Sequence, residues 1–122
     1  MSIPPVSLRL SARTSEKVRR IASLEHRSFA DTVRVLTEEA IKMREFPEVI
    51  FTSGPTGRRA SFRQGPDVWE ILEPYVVGGH DWEVLRASYP EITEPVLRAA
   101  VRYYESYPDE IDARIEVNSE GL

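Results

Sequence analysis

The stretch VSLRLS, Val6 to Ser11, alternates apolar and polar residues throughout. Val6, Leu8 and Leu10 fall on one side and Ser7, Arg9 and Ser11 on the other, the pattern of a half-buried strand. Two helical patterns follow at once, so no second strand lies close enough to pair with it. A lone strand leaves a row of backbone N–H and C=O groups open, and this one also has an apolar side to cover. Two copies of the chain meet both needs by pairing their strands antiparallel. Val6, Leu8 and Leu10 of each copy then pack down onto the helices, while Ser7, Arg9 and Ser11 face outward on a two-stranded ribbon. Such a ribbon fits the DNA major groove, where arginine suits guanine O6 and N7 and serine hydroxyls donate or accept.

Periodicity organises the rest. ARTSEKVRRIASLEHR reads as a helix capped by Thr14 or Ser15, with Val18, Ile21 and Ala22 inward. After a turn at EHRS, Ser28 is the expected cap of a second helix, with Asp31 three residues on. Phe29, Val33, Leu36, Ala40 and Met43 give that helix an apolar stripe, and Pro47 stops it near Glu45. Val49–Thr52 and Arg59–Phe62 flank the turn residues Gly54, Pro55 and Gly57 and predict a hairpin. A helix from about Pro66 turns Val68, Trp69, Ile71 and Leu72 inward and breaks at Gly78-Gly79. A short helix follows, capped by Asp81, with Pro90 beyond its end. Thr93 caps a longer one, with Glu94 and Pro95 in its first turn and Val96, Leu97, Ala100, Val101 and Tyr104 inward. From Pro108 on, the sequence reads as an acidic tail.

Charge divides the chain in the same place. The net charge is −4, but residues 1–44 hold nine Lys/Arg against five Asp/Glu, a net of +4, and residues 45–122 hold seven against fifteen, a net of −8. A basic first third suits phosphates, which an acidic remainder would repel.

Strand, helix, turn and Ser-capped helix in this order resemble the ribbon-helix-helix family of bacterial DNA-binding dimers. VSLRLS, ARTSEKVRRIASL and SFADTVRVLTEEAIKM carry the resemblance, which covers the first third of the chain. It implies base reading by Ser7, Arg9 and Ser11, and a phosphate anchored at Ser28 and Phe29, where free N–H groups and the helix dipole favour an anion. Arg13, Arg20 and Arg27 are further phosphate candidates. Val6, Leu8, Leu10, Val33 and Leu36 are the dimerisation set. His26 and Arg27 stand where the family often has Gly or Asn, and histidine tolerates the positive φ of such a turn better than most residues.

The segment from Phe46 to about Ile115 resembles a small winged-helix-like family of toxin-antitoxin operons, through FPEVIF, GPTGRRASF, DVWEILE and, above all, LRASYPEITEPVLRAAVRYY. The hairpin match is loose, since SGPTGRRAS stands in place of the family's usual Gly-Gly-Lys-Pro turn. This resemblance implies an antitoxin that binds a ribonuclease-like toxin, often of PIN type, and represses its own operon. Trp69, Trp82, Tyr89 and Tyr104 fall at core spacing. Tyr103 and Tyr107 lie off that stripe and are the candidate partner surface, together with Ile111 and Ile115 of the tail.

The expected fold is therefore mainly α with a small β component. Residues 1–45 form a ribbon-helix-helix domain, 46–108 a winged-helix-like three-helix domain with a β-hairpin, and 109–122 an acidic tail. The expected partners are operator DNA, a cognate toxin and a second copy of the chain, or a higher oligomer with the toxin. The alternatives are a stand-alone ribbon-helix-helix regulator whose second domain binds a ligand or partner, and a structural adaptor. Without cysteine there are no disulfides or thiolate metal sites. His26 and His80 lack a paired ligand. GPTGRR lacks the Gly-Lys-Ser/Thr of a P-loop, and no nucleophile sits with a base. No enzyme activity, metal or cofactor is expected. Neither a transmembrane run nor a signal pattern is present, so a cytoplasmic protein with no membrane partner is expected.

Overall fold

The computed structural model describes residues 5–54, 57–63 and 65–120. Among them are six α-helices and one two-stranded antiparallel sheet. By compactness the chain divides into two units, 1–41 and 42–122.

Unit 1 holds α1 (Ala12–Leu24) and most of α2 (Phe29–Glu45). Ser11, not Thr14 or Ser15, caps α1. Its extended backbone brings Oγ over the free N–H groups of the first turn, where it accepts from the Thr14 N–H at 3.1 Å. The helix closes on His26, whose φ of +55° is left-handed. The Arg27 N–H then reaches back to the Ala22 carbonyl at 2.9 Å, a Schellman-type end. Ser28 caps α2 as expected, its Oγ accepting from the Asp31 N–H at 3.0 Å. Among the described residues of this unit, Val18 and Ala22 are the buried apolar side chains. The stripe on α2 is not buried in the single chain: Phe29 and Ala40 are exposed, and Val33, Leu36 and Met43 are half-buried.

Unit 2 begins within the last turn of α2, a few residues before the expected boundary. The reason is local: Lys42 pairs with Glu110 at 2.6 Å, Glu45 accepts from the Tyr107 hydroxyl, and Phe46 packs edge-on against Tyr103 with ring centroids 5.1 Å apart. Strands β1 (Val49–Gly54) and β2 (Gly57–Phe62) pair antiparallel from Val49–Phe62 to Gly54–Gly57. Gly57 takes φ +99°, which a side chain would oppose. Pro55 lies outside the described residues. Helices α3 (Val68–Val77), α4 (Trp82–Ser88), α5 (Glu94–Ser106) and α6 (Pro108–Glu120) follow the hairpin, one helix more than the sequence reading allows. Their common core includes Val49, Phe62, Val68, Ile71, Leu72, Leu85, Leu97 and Ala100.

Residues 108–120 are thus a helix and not a tail. Proline is favoured at the first helical position, and Asp109 and Glu110 complement the positive end of the dipole. Ile111 and Ile115, one turn apart, face inward, and α6 packs on α3 and α5. Covered on this second side, α5 buries Ala99 and Tyr103 besides Leu97, Ala100 and Tyr104. Tyr103 is 0 % and Ile111 2 % exposed, so both belong to the core and not to a partner surface. Ile115 is also buried, and Tyr107 is half-buried. Tyr103 donates to Glu110 Oε2 at 2.6 Å and Tyr104 to Asp112 Oδ1 at 2.8 Å, so each buried hydroxyl is bound to α6. Burial, followed by the Asp112 bond, pushes the Tyr104 hydroxyl up to about 12, and burial with the Glu45 bond does the same for Tyr107.

Helix α3 runs through Pro74. Proline has no N–H, so the Glu70 carbonyl one turn back loses its helical partner. The Tyr89 hydroxyl, just past the end of α4, donates to that carbonyl at 2.8 Å. Tyr89→Phe should therefore destabilise the protein by about 1 kcal/mol, the net worth of the lost hydrogen bond. In a Pro74→Ala background the restored backbone N–H at that position serves Glu70, and the same change should cost less than about 0.5 kcal/mol. Urea denaturation of the four proteins measures this coupling, and strict additivity would contradict it.

Candidate dimer and nucleic-acid interface

Residues 5–10 form no hydrogen-bonded strand in the single chain. Val6 is 85 % and Leu8 65 % exposed, while Leu10 is half-buried. The three line a groove of about 550 Å³ with Phe29, Ala30 and Val33 of α2. The residues named for dimerisation are thereby gathered, apart from Leu36, which is half-buried farther along α2. A chain of this size rarely exposes such large apolar groups side by side without a use for them.

Ser7 and Arg9 are exposed. Ser11 is engaged at the α1 cap, its hydroxyl also donating to Thr14 Oγ1 at 2.9 Å. Arg13, Lys17 and Arg20 fall at i, i+4 and i+7 of α1, all exposed and, among the described residues, without an acidic partner. This stripe adds Lys17 to the expected set. Its spacing is legible in the sequence, but only the absence of pairing marks it as available charge. Arg19 lies over the Phe29 ring, 5.7 Å from its centroid.

At the start of α2 the first N–H groups have no helical acceptor, and Ser28 satisfies that of Asp31 alone. Asp31 would oppose an anion there, but it is held between two guanidinium groups. Arg34 reaches Oδ1 at 2.5 Å and Arg27 reaches Oδ2 at 2.9 Å. These bonds, Arg34 first and Arg27 second, hold the Asp31 carboxyl below its usual range. Arg27 is therefore an internal partner of Asp31 and Glu25 rather than a free cation.

In unit 2 the chemistry is different. Asp81 caps α4, accepting from the Glu83 N–H at 2.9 Å, as expected. His80 stacks on Tyr75 with ring centroids 5.4 Å apart. Among the described residues no three His, Asp or Glu side chains gather as a metal set would, and no helix is long and apolar enough to cross a membrane. Comparison of the chain with protein families, characterised proteins and solved structures finds no match.

Proposed function

We propose that the chain is an antitoxin-like repressor. Unit 1 pairs with that of a second copy as a ribbon-helix-helix dimer and binds operator DNA. Unit 2, winged-helix-like, binds and silences a ribonuclease-type toxin. The observation that carries the DNA half is the uncovered apolar side of residues 6–10 on the same unit as the unpaired Arg13–Lys17–Arg20 stripe. A second copy covers the first, and phosphates match the second. The acidic balance of residues 45–122 supports the toxin half, because a nuclease with a basic RNA groove is the complementary partner.

Base reading and phosphate contact separate experimentally. Arg9→Ala should weaken binding to the DNA upstream of the gene by about 1–3 kcal/mol while barely changing affinity for random DNA. Arg27→Ala, with its guanidinium already bound to Asp31, should change both little. Mobility shifts on the two DNAs decide the matter, and an equal loss on both for Arg9→Ala removes Arg9 as a base reader. Co-expression with the neighbouring gene product tests the toxin half, which fails if no complex forms.

A further inference from the structure

On unit 2, an apolar groove is edged by carboxylates that, among the described residues, have no cation. Trp69, Pro74 and Val77 of α3 and the Tyr89 ring line a depression of about 400 Å³ together with Glu70 and Glu73. Val77 is 74 % exposed at its end. Both rings are fixed: Trp69 Nε1 donates to Asp67 Oδ2 at 3.1 Å, and Tyr89 is tied to the Glu70 carbonyl that Pro74 leaves free. Among the described residues, no Lys or Arg pairs with Glu70, Glu73 or nearby Glu91. Trp69 and Glu70 also line a neighbouring depression with Arg59 and Arg114, but both arginines are engaged, Arg59 with Asp67 at 2.8 Å and Arg114 with the Arg58 carbonyl at 3.0 Å.

We infer that this Trp69–Tyr89 groove is the docking seat for a basic, amphipathic segment of the partner protein, seating one apolar side chain between the rings with arginine or lysine over Glu70 and Glu73. It rests on the reading of unit 2 as the partner-binding half and names its surface. Charge complementarity selects the occupant: carboxylates without a cationic partner around an apolar floor, Glu73 accepting only from Asn118 at 3.5 Å, attract a cationic protein segment and repel a phosphate backbone. The Tyr89 hydroxyl senses the same field, being raised by burial first and then by Glu70, Glu73 and Glu91. Two prearranged aromatic rings beside a helix are what an amphipathic segment uses as an anchor, and a rigid site keeps the ordering cost of binding low. The fold places this seat on α3 and α4, away from the tyrosines and isoleucines that the sequence pattern suggested.

The test is a titration of the full chain with a fluorescent amphipathic leucine/arginine peptide, a leucine/glutamate peptide of the same pattern, and an oligoarginine of equal charge. The leucine/arginine peptide should bind at least about tenfold more tightly than either control, and Glu70→Lys with Glu73→Lys should weaken it by about tenfold or more. Operator binding and dimer mass should stay unchanged in that variant, since both belong to unit 1. In the wild-type chain the Trp69 indole N–H resonance should shift on titration while that of Trp82 stays in place. No binding, equal binding of oligoarginine, wild-type affinity of the double variant or a silent Trp69 resonance each overturns the assignment. If the neighbouring gene product forms no complex while the peptide still seats on Trp69, the toxin reading fails and the groove stands. A complex unaffected by the double variant does the reverse.

Discussion

Ile111→Asp abolishes the native packing of residues 42–122. Ile111 is 2 % exposed on α6, which packs against α3 and α5. The substitution removes about 2 kcal/mol of apolar burial and places a carboxylate in the core, at a further cost of several kcal/mol. The sum approaches the whole stability of a domain this size, about 5–10 kcal/mol. The tryptophan and tyrosine bands of the near-ultraviolet circular dichroism read this unit alone, because Trp69, Trp82 and all five tyrosines lie in it. The aromatic signal should collapse and its thermal transition vanish, whereas Ile111→Val should keep both and cost about 1 kcal/mol. An Ile111→Asp chain with an intact aromatic spectrum would make α6 the dispensable appendage that its composition suggests.

That contrast shows where the sequence is legible. Capping chemistry is local, so Ser28, Asp81, the His26 turn and the β1–β2 hairpin follow from neighbouring residues alone. The α6 helix carries its own start signal, Pro108 followed by Asp109 and Glu110, the counterpart of Glu94-Pro95 at α5. Its large apolar residues are Ile111, Ile115 and, exposed, Val117, so the acids around them dominate a reading by composition. Missing α6 displaced the tyrosines too. A helix covered on one side buries one stripe, but α5 is covered on two, and Tyr103 lies on the second. The bond from Tyr89 to Glu70 spans nineteen residues and no periodicity encodes it. Pro74 announces a missing donor without saying who replaces it. For residues 6–10 the limit is different: their alternation calls for a partner strand, and in a single chain they form no hydrogen-bonded strand and leave Val6 and Leu8 exposed.

Leu8→Asp acts chiefly on that missing strand. Leu8 is 65 % exposed, so the protomer loses almost no contact of its own, and the aromatic spectrum of unit 2 should be unchanged. In the proposed paired ribbon two copies of Leu8 would be buried together. Losing both costs about 2 kcal/mol each, and two facing aspartates add desolvation and mutual repulsion, for a total of about 6 kcal/mol, or roughly four orders of magnitude in dimer affinity. Unit 1 has only Val18 and Ala22 as buried apolar side chains among its described residues. A core that small cannot hold two helices unaided, so its helical signal should fall along with the dimer. Operator binding should disappear too, because one half of a ribbon presents neither two arginines to the groove nor a second phosphate-facing stripe. Light scattering at micromolar concentration measures the outcome directly. A Leu8→Asp chain that still scatters as a dimer would place the dimer interface elsewhere, and Arg9 would then have no ribbon from which to read DNA.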